Sequence, residues 1–332
     1  MRWSLAPRLT GACVKCERLS AQVNEPGGAV SRKIAVAAVV SSAACFATLG
    51  ILTKWAFAHG AEPMSLLAVR FALAAVVMAV SQTVRDPAAL RVTRADLVRF
   101  LGLSLTGYGA ASLCYSYAVR EIGASVTTVL LYTYPALVSV IGWLFLRERF
   151  PLRRAAAVLL TFAGCALVAE VFTSGSAVTP RGFALGMGAA LGYAVFNVLS
   201  YYSLGRTSRL TIMAYTFAFS AIALAVVSAA NGTLSSVARW DASAWGSVAL
   251  MVAVPTFTAV MLYLGGIARM GAAQAAVVST LELPFTVAFA ALAFPLERLS
   301  PLQLLGAAVV LGGVVMAEWG SPEGEVDGVA AV

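Results

Sequence analysis

Long apolar stretches, separated by short polar turns, set the pattern of this chain. Ten can be drawn, at 34–57, 64–83, 97–118, 124–146, 154–172, 182–202, 210–230, 244–267, 272–294 and 301–319. An apolar run of about twenty residues spans a bilayer core as a helix. The runs are continuous and do not alternate, so barrel strands are excluded. The fourth, sixth, seventh and eighth runs carry no charged residue at all. The expectation is an all-α integral membrane protein with ten transmembrane helices.

The pattern also repeats. Pro135 to Phe150 reads PALVSVIGWLFLRERF and Pro284 to Leu299 reads PFTVAFAALAFPLERL. In each, a proline in an apolar run is followed by Glu-Arg, as Glu148-Arg149 and Glu297-Arg298, and then by a second proline, Pro151 or Pro301. Other residues keep nearly the same offset. Phe46 and Tyr193 are 147 apart, while Tyr115 with Tyr263 and Gly123 with Gly271 are 148 apart. Pro135 with Pro284, Glu148 with Glu297, and Gly164 with Gly313 are 149 apart. Small loop insertions produce such a drift, and a fixed period is the mark of a duplicated unit. Residues 34–172 and 181–319 are therefore expected to be two five-helix repeats, flanked by a basic tail at 1–33 and an acidic tail at 320–332. Five helices per repeat invert the second relative to the first, an arrangement that secondary transporters use around a site at the repeat interface.

Composition agrees with membrane residence. The 332 residues are 60% hydrophobic and 11% charged, against roughly a quarter charged in soluble domains. With the N-terminus inside, seventeen of the 23 Lys and Arg residues fall on the inner side and four, Arg120, Arg181, Arg239 and Arg298, on the outer side. Basic loops stay in the cytoplasm, so both termini are expected there, in a bacterial inner membrane. This asymmetry accounts for the net charge of +8 without a nucleic-acid partner. Trp55, Trp143, Trp240, Trp245 and Trp319 stand near span ends, as an aromatic belt requires. The lone Cys13-x-x-Cys16 lacks further ligands for a metal, and no phosphate-binding GxxxxGK[ST] loop or HExxH and GxSxG signature occurs. No cofactor, no metal and no enzymatic activity are expected.

FATLGILTKWAF and PMSLLAVRFALAA carry a family likeness. The chain resembles the drug/metabolite transporter superfamily, EamA type, over about 34–319. The resemblance rests on Phe46, Ala47 and Lys54 in the first run and on Pro63, Arg70 and Phe71 in the second. Tyr134 to Gly164 and Leu281 to Gly313 look like the segments that close each half. Phe46 replaces the family's usual tryptophan, and Arg147 and Leu296 replace the glycine before the acid. Glu282 lies one residue before the family's usual position for a glutamate, about 100° around a helix. The resemblance implies ten helices in two five-helix repeats. It also implies export of small metabolites, such as amino acids, or of toxic compounds, driven by a proton or solute gradient. Uptake is the alternative, since topology does not set the direction of flux; a passive helix bundle is a further reading.

The candidate site residues follow from cost. A charged group in mid-membrane costs about 2.5–3.5 kcal/mol on insertion scales and marks function. Glu282, eleventh residue of the 272–294 run, is the leading candidate, to couple protons or bind a substrate amine. Its alternative is a neutral acid bonded to a backbone carbonyl freed by Pro284. Arg70 has three roles open: gripping a substrate carboxylate, pairing with Glu282, or snorkelling outward. Lys54 is expected to snorkel. Tyr108, Tyr115, Tyr193, Thr256 and Tyr263 are polar groups at depth, and Pro135, Pro255 and Pro284 are expected to break helices around a central cavity. Asn197 is open between interhelical glue and ligand contact. The expected partners are a small-molecule substrate and the bilayer, and no oligomeric state is assigned.

Overall fold

In a computed structural model, residues 28–122, 124–146, 152–168, 179–293 and 300–318 are described. The Glu148 and Glu297 segments, Glu170, Cys13, Cys16, residues 1–27 and the acidic tail from 320 lie outside them, while 28–33, expected in the basic tail, are helical. Helix occupies most of each of the ten expected stretches as far as it is described, and no strand occurs among the described residues. The helices are α1 Gly28–Ala58, α2 Pro63–Arg85, α3 Arg94–Gly102, α4 Gly109–Ile122, α5 Ala124–Leu131, α6 Tyr134–Leu146 and α7 Leu152–Val168. The second half supplies α8 Pro180–Leu204, α9 Arg209–Ala230, α10 Ala242–Met251, α11 Ala259–Met270, α12 Ala272–Ser279, α13 Glu282–Ala293 and α14 Pro301–Glu318. Among the described residues, seven stretches are long and apolar enough to cross a membrane, against the ten expected. The fifth and tenth stretches are shorter apolar helices, and the ninth is divided between α12 and α13.

The interruptions fall at matched places. Leu103–Tyr108 between α3 and α4, and Val252–Thr258 between α10 and α11, are π-helical segments that bend their helices. Pro255 accounts for the second, because it lacks an N–H and its ring crowds the preceding turn. Gly107 accounts for the first: its backbone leaves helical geometry at φ −103° and ψ −113°. A Cβ there would stand 3.2 Å from that of Phe196 on α8. The other pair of breaks, at Tyr132–Thr133 and Thr280–Leu281, splits the fourth and ninth stretches. Pro135 and Pro284 were expected to kink helices from within. Instead they stand second in α6 and third in α13, in a first turn where no N–H donor is required.

Packing follows the duplication. α2 lies against its counterpart α9, and α7 against its counterpart α14. α1 packs on α11 as α8 packs on α4, and α13 on α1 as α6 on α8. The self-paired helices run antiparallel. Along α2 and α9, Ser65 meets Ser236 at one end, Phe71 stacks on Phe217 in the middle, and Gln82 meets Ser208 at the other end. Along α7 and α14, Arg153 donates to the Met316 carbonyl, Thr161 lies against Gly313, and Gly164 against Val310 and Gly306. Glycine is required at this crossing because a Cβ on Gly164 would stand 2.7 Å from the Val310 nitrogen. Close approach through small residues is how helices associate without a hydrophobic driving force.

Candidate functional site

Three of the helix breaks, at Tyr108, Tyr132–Thr133 and Thr280–Leu281, meet around Glu282 in the bundle interior. Glu282 opens α13, so its carboxylate sits at a helix N-terminus, where the unpaired N–H groups favour negative charge. The Tyr132 hydroxyl, from the other broken helix, is the hydrogen-bonding group that faces it. Tyr108, Tyr115, Tyr193, Tyr263 and Cys165 also lie within its electrostatic reach. The residue is half-buried.

Two polar systems extend from this acid. In the first, Tyr263 donates to the Asn197 side-chain oxygen, while the Asn197 amide nitrogen donates to the Tyr193 carbonyl 2.7 Å away. Both ends of the Asn197 amide are thus engaged within the protein, as interhelical glue requires. Tyr134 and Ser279 share a hydrogen bond beside them, and Tyr134 also donates to the Ala276 carbonyl at 3.0 Å. In the second, Tyr108 is wrapped by Phe71, Phe196 and Phe217, with ring centroids 5.5, 5.1 and 5.4 Å away. Tyr193 bridges the two, at 6.2 Å from Tyr108 and 4.8 Å from Tyr134.

Arg70 departs from two of its three expected roles. It is only 6% exposed, so it does not snorkel, and no carboxylate among the described residues pairs with it. Its guanidinium carbon lies 4.7 Å from the Phe71 ring centroid, and the Tyr108 hydroxyl faces it. The physical reason is helix orientation. Packing of α2 on α9 turns Arg70 and Phe71 into the aromatic interior, beyond the reach of the outer surface.

The other candidates are dispersed around this core. Tyr115 is half-buried, and its hydroxyl is 3.1 Å from that of Thr128. Thr256 is buried within the Pro255 bend. Lys54 lies one turn before the end of α1, with its side chain outside the description. Trp240 is buried against Trp245 rather than facing lipid. Tyr132, Tyr134 and Ser279 were missed from sequence. Their signal was positional: Thr133 stands 149 residues before Glu282, so the residues flanking it occupy the corresponding break in the first half.

The sequence model of the EamA-like transporter family matches residues 33–169 and again 180–319. The chain belongs to the EamA-like transporter family. Among its relatives is "Uncharacterized transporter YcbK" of Bacillus subtilis (strain 168), 28% identical over 273 residues, covering 79% of this chain and 85% of that protein. "Uncharacterized transporter YetK" of the same organism is 23% identical over 303 residues, covering 88% of this chain and 89% of that protein. A solved crystal structure superposes with a TM-score of 0.72 at 18% identity, covering 86% of this chain and 96% of that one. That likeness concerns the fold alone. Within an EamA-like chain, the acid and the tyrosines that face it occupy one interior region. No group of three or more potential metal ligands exists among the described residues.

Proposed function

We propose that this EamA-like protein is a secondary-active exporter of small metabolites, working by alternating access between two inverted five-helix repeats at 34–172 and 181–319. The chain would cross a bacterial inner membrane ten times, with both termini in the cytoplasm. Antiparallel packing of α2 on α9 and of α7 on α14 supports the inversion. Glu282 is the coupling group in this reading, exchanging its proton for cargo. Tyr108, Tyr115, Tyr193, Thr256 and Tyr263 form the cargo wall, and Lys54 and Arg70 contribute charge. One observation carries the proposal: an interior carboxylate at a helix break, faced by the Tyr132 hydroxyl and within electrostatic reach of tyrosines from both halves.

Metabolite profiling of medium and cytoplasm tests it. Cells making the protein are compared with cells making Glu282→Gln at equal membrane abundance. The expected result is a compound enriched outside and depleted inside with the intact protein alone. The opposite gradient would make it an importer. Identical profiles, together with no cargo movement in liposomes, would end the transport reading.

A further inference from the structure

Arg70 is electrostatically incomplete within the protein. Guanidinium remains protonated in proteins and presents five N–H donors. Here it is 6% exposed, and among the described residues one oxygen, the Tyr108 hydroxyl, faces it. Its Nε is buried without a hydrogen-bond partner. Nothing among the described residues supplies counter-charge. A buried charge without a partner is strongly destabilising, and folded proteins retain one where something else completes it.

The surroundings restrict what that partner can be. The guanidinium carbon lies over the Phe71 ring, and the unpaired Nε leaves a donor for recognition. Arginine edges match planar oxyanions through two parallel hydrogen bonds, the geometry that carboxylates accept. A dianion such as phosphate would bring excess negative charge into an interior that already contains Glu282. Tyr108 joins the two charges: it faces Arg70 and also lies in the field of Glu282, although the acid and the base do not touch. A group bound at Arg70 therefore enters the same interior region as the coupling acid, beside the aromatic ring cluster.

We propose that Arg70 is a cargo-recognition residue that binds a carboxylate, so the transported molecules are small organic acids with an apolar or aromatic body. This rests on the transport reading and adds to it a charge requirement on the cargo.

Matched acid and amide probes test the requirement, because each pair differs in charge and hardly in shape. Benzoate with benzamide, and 3-phenylpropionate with 3-phenylpropionamide, are offered to purified wild-type protein, Arg70→Gln and Arg70→Lys. Melting temperature and uptake into proteoliposomes are read. The wild type is expected to favour acid over amide by about tenfold or more, the scale of a hydrogen bond to a charged group. Arg70→Gln should erase that preference and melt at a higher temperature than the wild type without ligand, because an uncompensated charge is gone. Arg70→Lys keeps the charge without the fork and should retain a reduced preference. The proposal is overturned if the wild type does not distinguish acid from amide or responds to neither. It is equally overturned if Arg70→Gln keeps the preference, or melts lower without ligand. Amides moving as well as acids would remove the subsite and leave transport standing. Absence of any cargo in the metabolite comparison would remove transport itself, whatever Arg70 binds.

Discussion

At the residue scale, the interior depends on hydroxyls that hold other groups in place. Tyr263 satisfies the buried Asn197 oxygen, so Tyr263→Phe strands an acceptor without changing packing. Leaving a buried acceptor unsatisfied costs about 1–3 kcal/mol, which a lowered midpoint in denaturant titration should register. Glu282→Gln preserves shape and hydrogen bonding but cannot carry charge. It should fold, insert and lose the pH dependence of transport; unchanged pH dependence would end the coupling role. Glu282 could be singled out from the sequence because ionisable residues are rare at that depth. Arg70 was harder to read. Its depth along α2 was visible, but its direction around the helix depends on the contact with α9, over 130 residues later. Tyr132 and Tyr134 were hidden for another reason: tyrosine is ordinary in apolar runs, and it is at the helix break that Tyr132 meets the acid and Tyr134 meets Ser279.

At the element scale, the helices differ in what stops them. Pro255 announces its bend in the sequence, whereas Gly107 produces the matching bend with no proline. The offset of 148 residues between them was the available clue, since a duplicated unit keeps its geometry even when the residue responsible changes. Hydrophobic runs also concealed the breaks at Tyr132–Thr133 and Thr280–Leu281, because a run records membrane residence and not continuity of helix. The crossing of α7 on α14 gives a direct test. Gly164→Ala would force the helices apart where a Cβ stands 2.7 Å from the Val310 nitrogen. Overpacking of this kind costs about 1–3 kcal/mol, readable as a lower melting temperature, and Gly313→Ala should behave alike.

At the scale of the whole molecule, the two halves are joined at their ends as well as in the interior. The His59 Nδ1 lies 2.7 Å from an Asp241 carboxylate oxygen, tying the α1–α2 turn to the start of α10. Asp241 also caps α10 through the Ala244 N–H at 2.8 Å. That N–H first, and His59 second, hold the Asp241 carboxyl below the usual carboxylate range. A depressed carboxyl stabilises the fold above its unfolded value of about 3.9 and loses that contribution as pH falls through the folded value. Melting profiles of the wild type and Asp241→Asn should therefore differ at neutral pH and converge in strong acid. Orientation is tested at equivalent exposed turns, Ala88 and Ser235, which are 147 residues apart. In a background without native cysteines, Ala88→Cys should label from the cytoplasm and Ser235→Cys from outside; labelling from the same side would refute the inversion. The antiparallel pairing of α2 with α9 and of α7 with α14 has a consequence for ancestry. Two separate copies of a half-length chain could make these same contacts only by lying head to tail in the bilayer. A founding gene would have had to deliver its product in both orientations, with little arginine bias to choose between them. Under the proposed inversion, fusion into one polypeptide would relieve that demand, since each half could then keep its own fixed side.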